Sequence, residues 1–184
     1  MKLVSIDPRL RNGDFASMQQ SLVAVHAQVK AALIALEALT ARESVDSQCL
    51  ARVRFQLSQA SAARRSVISQ VCSHLLPAVP ASAAAAIRNL QAAEREYTLA
   101  SRAHIERWSL AAILSNWSDY AAASQKMRWL LRRRLRLESN LLHPLMAELI
   151  RAEWKPRFQI DRVNDEALIT AIETPDISST LAGS

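Results

Sequence analysis

The residues best placed to do chemistry stand in Met127–Leu149, MRWLLRRRLRLESNLLHPLMAEL. Apolar side chains recur there at helical spacing, through Met127, Leu131, Leu141 and Leu145, and the centre of the same face carries Arg134 and Glu138. A carboxylate one helical turn from a second polar group is a geometry that helical bundles use to hold a metal. A guanidinium, however, keeps its proton and has no lone pair to give a metal. On an exposed face the two residues form an i, i+4 ion pair of little worth. In a core, Arg134 neutralises Glu138, because an unpaired buried carboxylate is costly. Arg134 is also long enough to snorkel outward. The spacing predicts the core pair, Arg134 with Glu138, and points away from metal chemistry.

The other candidates are less specific. His26 is either a core histidine bonded to a neighbour or a residual ligand facing the centre. His143, just before Pro144, is expected to pack, and His74 to face solvent. Lys126, Arg128, Arg132, Arg133, Arg134 and Arg136 make a dense basic run. Within it Arg128, Arg132 and Arg136 fall at i, i+4 and i+8, an outward stripe suited to an acidic partner or phosphate, or a solvated face balanced by glutamates on a neighbouring helix. Of Trp108, Trp117, Trp129 and Trp154, the one expected at the surface is Trp129, between the inner and basic faces, where an aromatic marks an interaction surface. No Gly-rich phosphate loop or Ser-His-Asp order is present, and Cys72 has no evident activator. No catalytic residue is assigned, and the chain reads as a non-enzyme.

The elements that would position these residues are helices. Asp14 caps a first helix reaching about Arg42, with Leu22, His26, Val29, Leu33 and Leu36 on one face. Ser44 or Asp46 caps a second, whose inner face carries Val53, Leu57, Ala60, Arg64, Val67, Val71 and Leu75 before Pro77 and Pro80 end it. A third starts near Ser82 and presents Ile87, Leu90, Glu94, Tyr97, Ser101, His104 and Trp108. Ser109 and Ser118 are both candidate caps, so the next segment is a short extra helix or a bent junction. A fourth runs from about Asp119, kinks at Pro144 and ends near Trp154. The expected division is an arm over 1–13, a four-helix unit over 14–154 and a tail over 155–184, with room for a short helix over Asp165–Glu173.

Composition agrees with that layout. The chain has 184 residues, half of them apolar, and only two glycines, enough for one core in an all-α, up-down-up-down four-helix bundle. Cys49 and Cys72 stand singly in helical segments, which suits a reducing compartment. The first residues lack a signal-peptide core, and the apolar runs read as too short and too interrupted by charge to span a bilayer. A cytoplasmic protein without a membrane partner is expected. A net charge of +6 allows an acidic partner but is modest for a nucleic-acid binder.

RLRLESNLLHPLM, with Arg134 and Glu138 followed by Leu142-His143-Pro144, resembles the closing helix of hemerythrin-like domains, where a His-x-x-x-Glu pair precedes a Leu-aromatic-Pro step. In VISQVCSHLLP, Val67 and Val71 stand where that family places His and Glu, and Leu75-Leu76-Pro77 repeats the ending. His26, within LVAVHAQVKAALIALEAL, stands at the family's first histidine ligand, and Arg107-Trp108-Ser109 through Trp117 resembles a variant found in some members. The similarity covers roughly residues 15–152. It implies a diiron fold in which His26 and Glu138 alone remain as ligands, with His104 as a third group on helix three. A diiron site draws about five or more His and carboxylate groups from all four helices, so none is expected. The resemblance therefore implies a regulatory or protein-interaction module without cofactor, its partner another protein or a second copy of the chain. The alternative is an oxygen- or iron-sensing metalloprotein holding iron on His26, His104 and Glu138.

Overall fold

The computed structural model describes the backbone of residues 12–44 and 46–170, and side chains over 15–44 and 46–152. These residues form five helices and no strand: α1 (Asn12–Thr40), α2 (Ser47–Leu75), α3 (Ala81–Arg107), α4 (Leu110–Ser115) and α5 (Trp117–Thr170). Local chemistry sets the boundaries. The Asp46 side chain accepts from Cys49 N at 2.9 Å and starts α2. After α2 the chain passes Pro77 and Pro80, which cannot donate to a continuing helix. Ser109 Oγ accepts from Ala112 N at 3.2 Å and caps α4, so the junction after α3 is a short helix of its own.

The apolar stripes meet in three successive clusters, ordered along α1. Phe15, Leu22 and Val25 pack with Val71, Leu75, Ile87, Leu142 and Met146 at one end. Val29 and Leu33 meet Leu131 and Leu135 in the middle. Leu36 and Leu39 meet Leu50, Val53, Trp108, Ile113 and Tyr120 at the other end. Leu22, Leu75, Leu142 and Met146 are all 0% exposed, and each such side chain contributes roughly 1.5–3 kcal/mol by leaving water. Trp117 Nε1 donates to Arg42 O at 3.0 Å, tying the start of α5 to the turn after α1.

Three expectations change. Asn12-Gly13 lies in the first turn of α1 rather than ahead of it. α5 does not stop near Trp154: it runs through Pro144 and on to Thr170, so the first half of the expected tail is helix. Once a helix is nucleated each further residue adds cheaply, and Arg157, Gln159, Arg162, Glu166, Ala167 and Leu168 are good helix formers. Most of the expected arm, residues 171–184 and the Trp154 side chain lie outside the described residues. Finally, Phe15–Thr40 is one helix long and apolar enough to cross a membrane by length and composition, with a mean hydropathy of 1.6. Lys30 and Glu37 are its only charged Asp, Glu, Lys or Arg residues, too few to interrupt it. Here its Leu22, Val25, Val29, Leu33 and Leu36 side chains are buried in the protein core.

Candidate functional site

Between the first and middle clusters, all four long helices send a polar side chain to one point. α5 supplies Arg134, 4% exposed, and Glu138, 0% exposed; α2 supplies Arg64, also 0% exposed. α1 supplies His26 and α3 supplies Glu94. Arg134 Nε donates to Glu138 Oε1 at 2.9 Å across one turn of α5, and Arg134 Nη2 donates to the Leu90 carbonyl of α3 at 2.6 Å. Arg64 donates through Nη1 to Glu138 Oε1 and through Nη2 to Glu94 Oε1, the latter at 2.6 Å. Glu94 Oε2 lies 3.0 Å from Arg134 Nε, an ionic contact without hydrogen-bond geometry. His26 Nε2 is 2.9 Å from Glu138 Oε2, and the Ser139 hydroxyl is 3.3 Å from His26 Nδ1. With its proton on Nε2, His26 donates to the carboxylate and accepts from Ser139.

The two guanidinium cations and the two carboxylates of this site balance one another. Each buried charge thereby has an opposite charge in contact, the condition under which ions are tolerated in a core. The same contacts remove the lone pairs a metal would need. Glu138 Oε1 accepts from two guanidinium groups, and Oε2 faces the imidazole. A cation approaching Glu138 would have to displace arginines that cannot lose their charge. The donor set therefore does not fit a diiron centre. Among the described residues no group of three or more His, Cys, Asp or Glu side chains is arranged to hold a metal.

The structure does not bring His104 to His26 and Glu138. It lies ten residues beyond Glu94 on α3, about 15 Å along the helix axis, with its ring 6.1 Å from that of Tyr120. Val67 is packed against the first cluster, and Val71 is buried in it. His74, expected in solvent, is partly buried, with Nδ1 2.8 Å from Gln70 O.

The basic stripe is corrected at one end. Arg128, expected to point outward, is 6% exposed and donates to Ser124 Oγ at 2.9 Å. Positions i and i+8 differ by about 80° around a helix, so one edge of the stripe turns inward onto the line Tyr120, Ser124, Arg128, Leu131 and Leu135. Arg132 stays at the surface and holds Glu37 of α1 at 2.5 Å, and Arg136 is exposed. That hydrogen bond and charge keep the Glu37 carboxyl below its ordinary value of 4.5. Trp129 is 53% exposed, with the Arg133 guanidinium 5.7 Å from the ring centre.

Arg64 and Glu94 were legible as inner-face residues, but their role was missed. The available signal was that each interrupts an apolar stripe near mid-helix, as Arg134 and Glu138 do.

Two histidines outside the network make stability depend on pH. Burial first, then Arg54 and Arg107, holds His104 below its ordinary 6.5; burial, then His26 and Lys30, does the same to His143. The unfolded chain therefore takes up these protons at higher pH than the folded one. Their contribution to stability is complete above about pH 6.5 and is lost as pH falls through the lowered folded values. The melting temperature should fall between pH 7 and pH 5, and the double variant His104→Gln, His143→Gln should flatten that decline. An equally steep decline in the double variant would assign the acid sensitivity to other groups.

No protein-family model, curated protein or solved structure matches this chain.

Proposed function

We propose that the chain is an up-down-up-down four-helix bundle, related in design to hemerythrin-like domains, that works without iron as a regulatory or protein-interaction module. What supports this reading is the network of His26, Arg64, Glu94, Arg134 and Glu138, whose arginines and glutamates pair with one another where the four long helices meet. It joins four helices with bonds of fixed direction and leaves no open coordination position. The partner is a protein with an acidic, partly apolar face. Its complement is the α1–α5 surface, where Lys30, Ile34, Arg132 and Arg136 line one shallow groove and Trp129 and Lys126 border the next. Ile34 is 63% exposed and Leu137 is 47% exposed beside these cations.

Metal analysis tests the central point. Protein purified from iron-replete cells should carry only trace iron, and its melting temperature should not change with chelator or added ferrous ion. About two iron ions per chain, the content of a diiron protein, would overturn the proposal.

A further inference from the structure

A second feature lies between the middle and far clusters, away from the charge network. It is a cavity of ≈ 170 Å³ bordered by α2, α3 and α5 and floored by Leu33 and Leu36 of α1. Four arginines line it, Arg54, Arg65, Arg102 and Arg128, and no aspartate or glutamate does. None of the four makes an ion pair among the described residues. Arg54 donates to Trp108 O at 2.9 Å and Arg128 to Ser124 Oγ, both neutral acceptors. Arg128 is 6% exposed, and its Nε has no hydrogen-bond partner.

That arrangement reverses the one at the centre of the protein, where every buried cation touches a carboxylate. A buried guanidinium without a carboxylate in contact is costly; desolvation is the largest influence on Arg128 and lowers its proton affinity, and Glu37 offsets it only from beyond ion-pair distance. The rest of the lining supplies donors. Ser58, Ser61 and Ser101 border the cavity with Tyr97 and Tyr120. Burial pushes the Tyr97 phenol up to about 12 and also raises that of Tyr120, so both keep their protons at neutral pH. Leu57, Ile105 and Met127 form an apolar wall. The volume is close to that of an engineered cavity of about 150 Å³ that takes benzene.

We propose that this cavity binds a small organic carboxylate, its anionic head against Arg128 and the neighbouring arginines and its apolar body against Leu57, Ile105 and Met127. An inorganic phosphate would match the charge but leave the apolar wall unfilled. The ligand, aromatic or short-chain aliphatic, occupies a position distinct from the partner surface on α1 and α5. The site's existence does not depend on the iron content of the protein.

Calorimetric titration of the full chain with benzoate and with hexanoate provides the test, with benzyl alcohol, hexanol and inorganic phosphate as comparisons. One carboxylate should bind per chain, and the matching alcohol should bind at least about tenfold more weakly, the size of one charge-assisted hydrogen bond. Arg128→Met should weaken the carboxylate by a similar factor. Since Arg128 is buried, the double variant Arg65→Gln, Arg102→Gln, at less buried positions, provides a second reading and should weaken binding several-fold. No binding of either carboxylate, equal affinity for acid and alcohol, or binding of phosphate alone would each overturn the proposal.

Discussion

Replacing Glu138 with alanine lowers the unfolding free energy by about 3–5 kcal/mol, the range for removing one member of a buried ion pair. Glu138 is 0% exposed and accepts from Arg64, Arg134 and His26. Its removal leaves two fully or almost fully buried guanidinium groups sharing the single, partly exposed carboxylate of Glu94. Glu138→Gln costs less, because the amide oxygen still accepts from a guanidinium although the charge is gone. Glu37→Ala is the control. It removes the carboxylate facing Arg132, but that side chain is 50% exposed, and the freed arginine is solvated at once. Urea unfolding, compared by midpoint at constant slope, separates the cases. A loss for Glu138→Ala no larger than that for Glu37→Ala would mean that water reaches the centre and that the network is not closed.

The part of this site visible in the sequence was the part built on local spacing. Arg134 and Glu138 are four residues apart on one helix, so their contact follows from helical geometry alone. Arg64 and Glu94 are 30 residues apart, and Arg64 and Glu138 are 74 apart. Those contacts depend on the level each residue reaches when the helices pack, which no periodicity encodes. His104 shows the same limit, for it shares the inner face of α3 with Glu94 but belongs to another layer. Caps located the turn before α2 and prolines the end of that helix, because each acts on its immediate neighbours, while the Ser109 cap left a short helix and a bent junction both open for the segment that forms α4. The extension of α5 past Trp154 was missed because its apolar pattern weakens while its helix-forming residues continue. Arg128 was misplaced because charge was taken as a sign of exposure. The seam it lies on, from Tyr120 through Ser124 to Leu131, has polar residues that reveal their burial only once α2 and α3 close over them.

Replacing the entire network with hydrocarbon should have the opposite effect to replacing one member. The variant His26→Leu, Arg64→Met, Glu94→Leu, Arg134→Met, Glu138→Leu is expected to be as stable as the parent, or more stable by about 1–4 kcal/mol, although Glu138→Ala alone is strongly destabilising. Two observations favour this result. The ions are surrounded by apolar clusters, so their desolvation cost is high, and the network satisfies its members incompletely. Arg64 Nε, Arg134 Nη1 and Glu94 Oε2 are buried without hydrogen-bond partners, each an expense of about 1–3 kcal/mol that an apolar side chain does not carry. Leucine and methionine also approximate the lengths they replace, which limits the cavities left behind. Calorimetric unfolding and an oligomer-state measurement on the same sample decide the matter. A gain in stability with a cooperative transition would show that the ions are not retained for strength, leaving the alignment of four helices as what they contribute. A broad transition or a mixture of oligomers would locate that contribution directly, since hydrocarbon fills the space but fixes no register. A cooperative, monodisperse variant less stable than the parent by more than about 3 kcal/mol would instead mean that the network's attraction exceeds its desolvation, and that this centre is stabilised by charge.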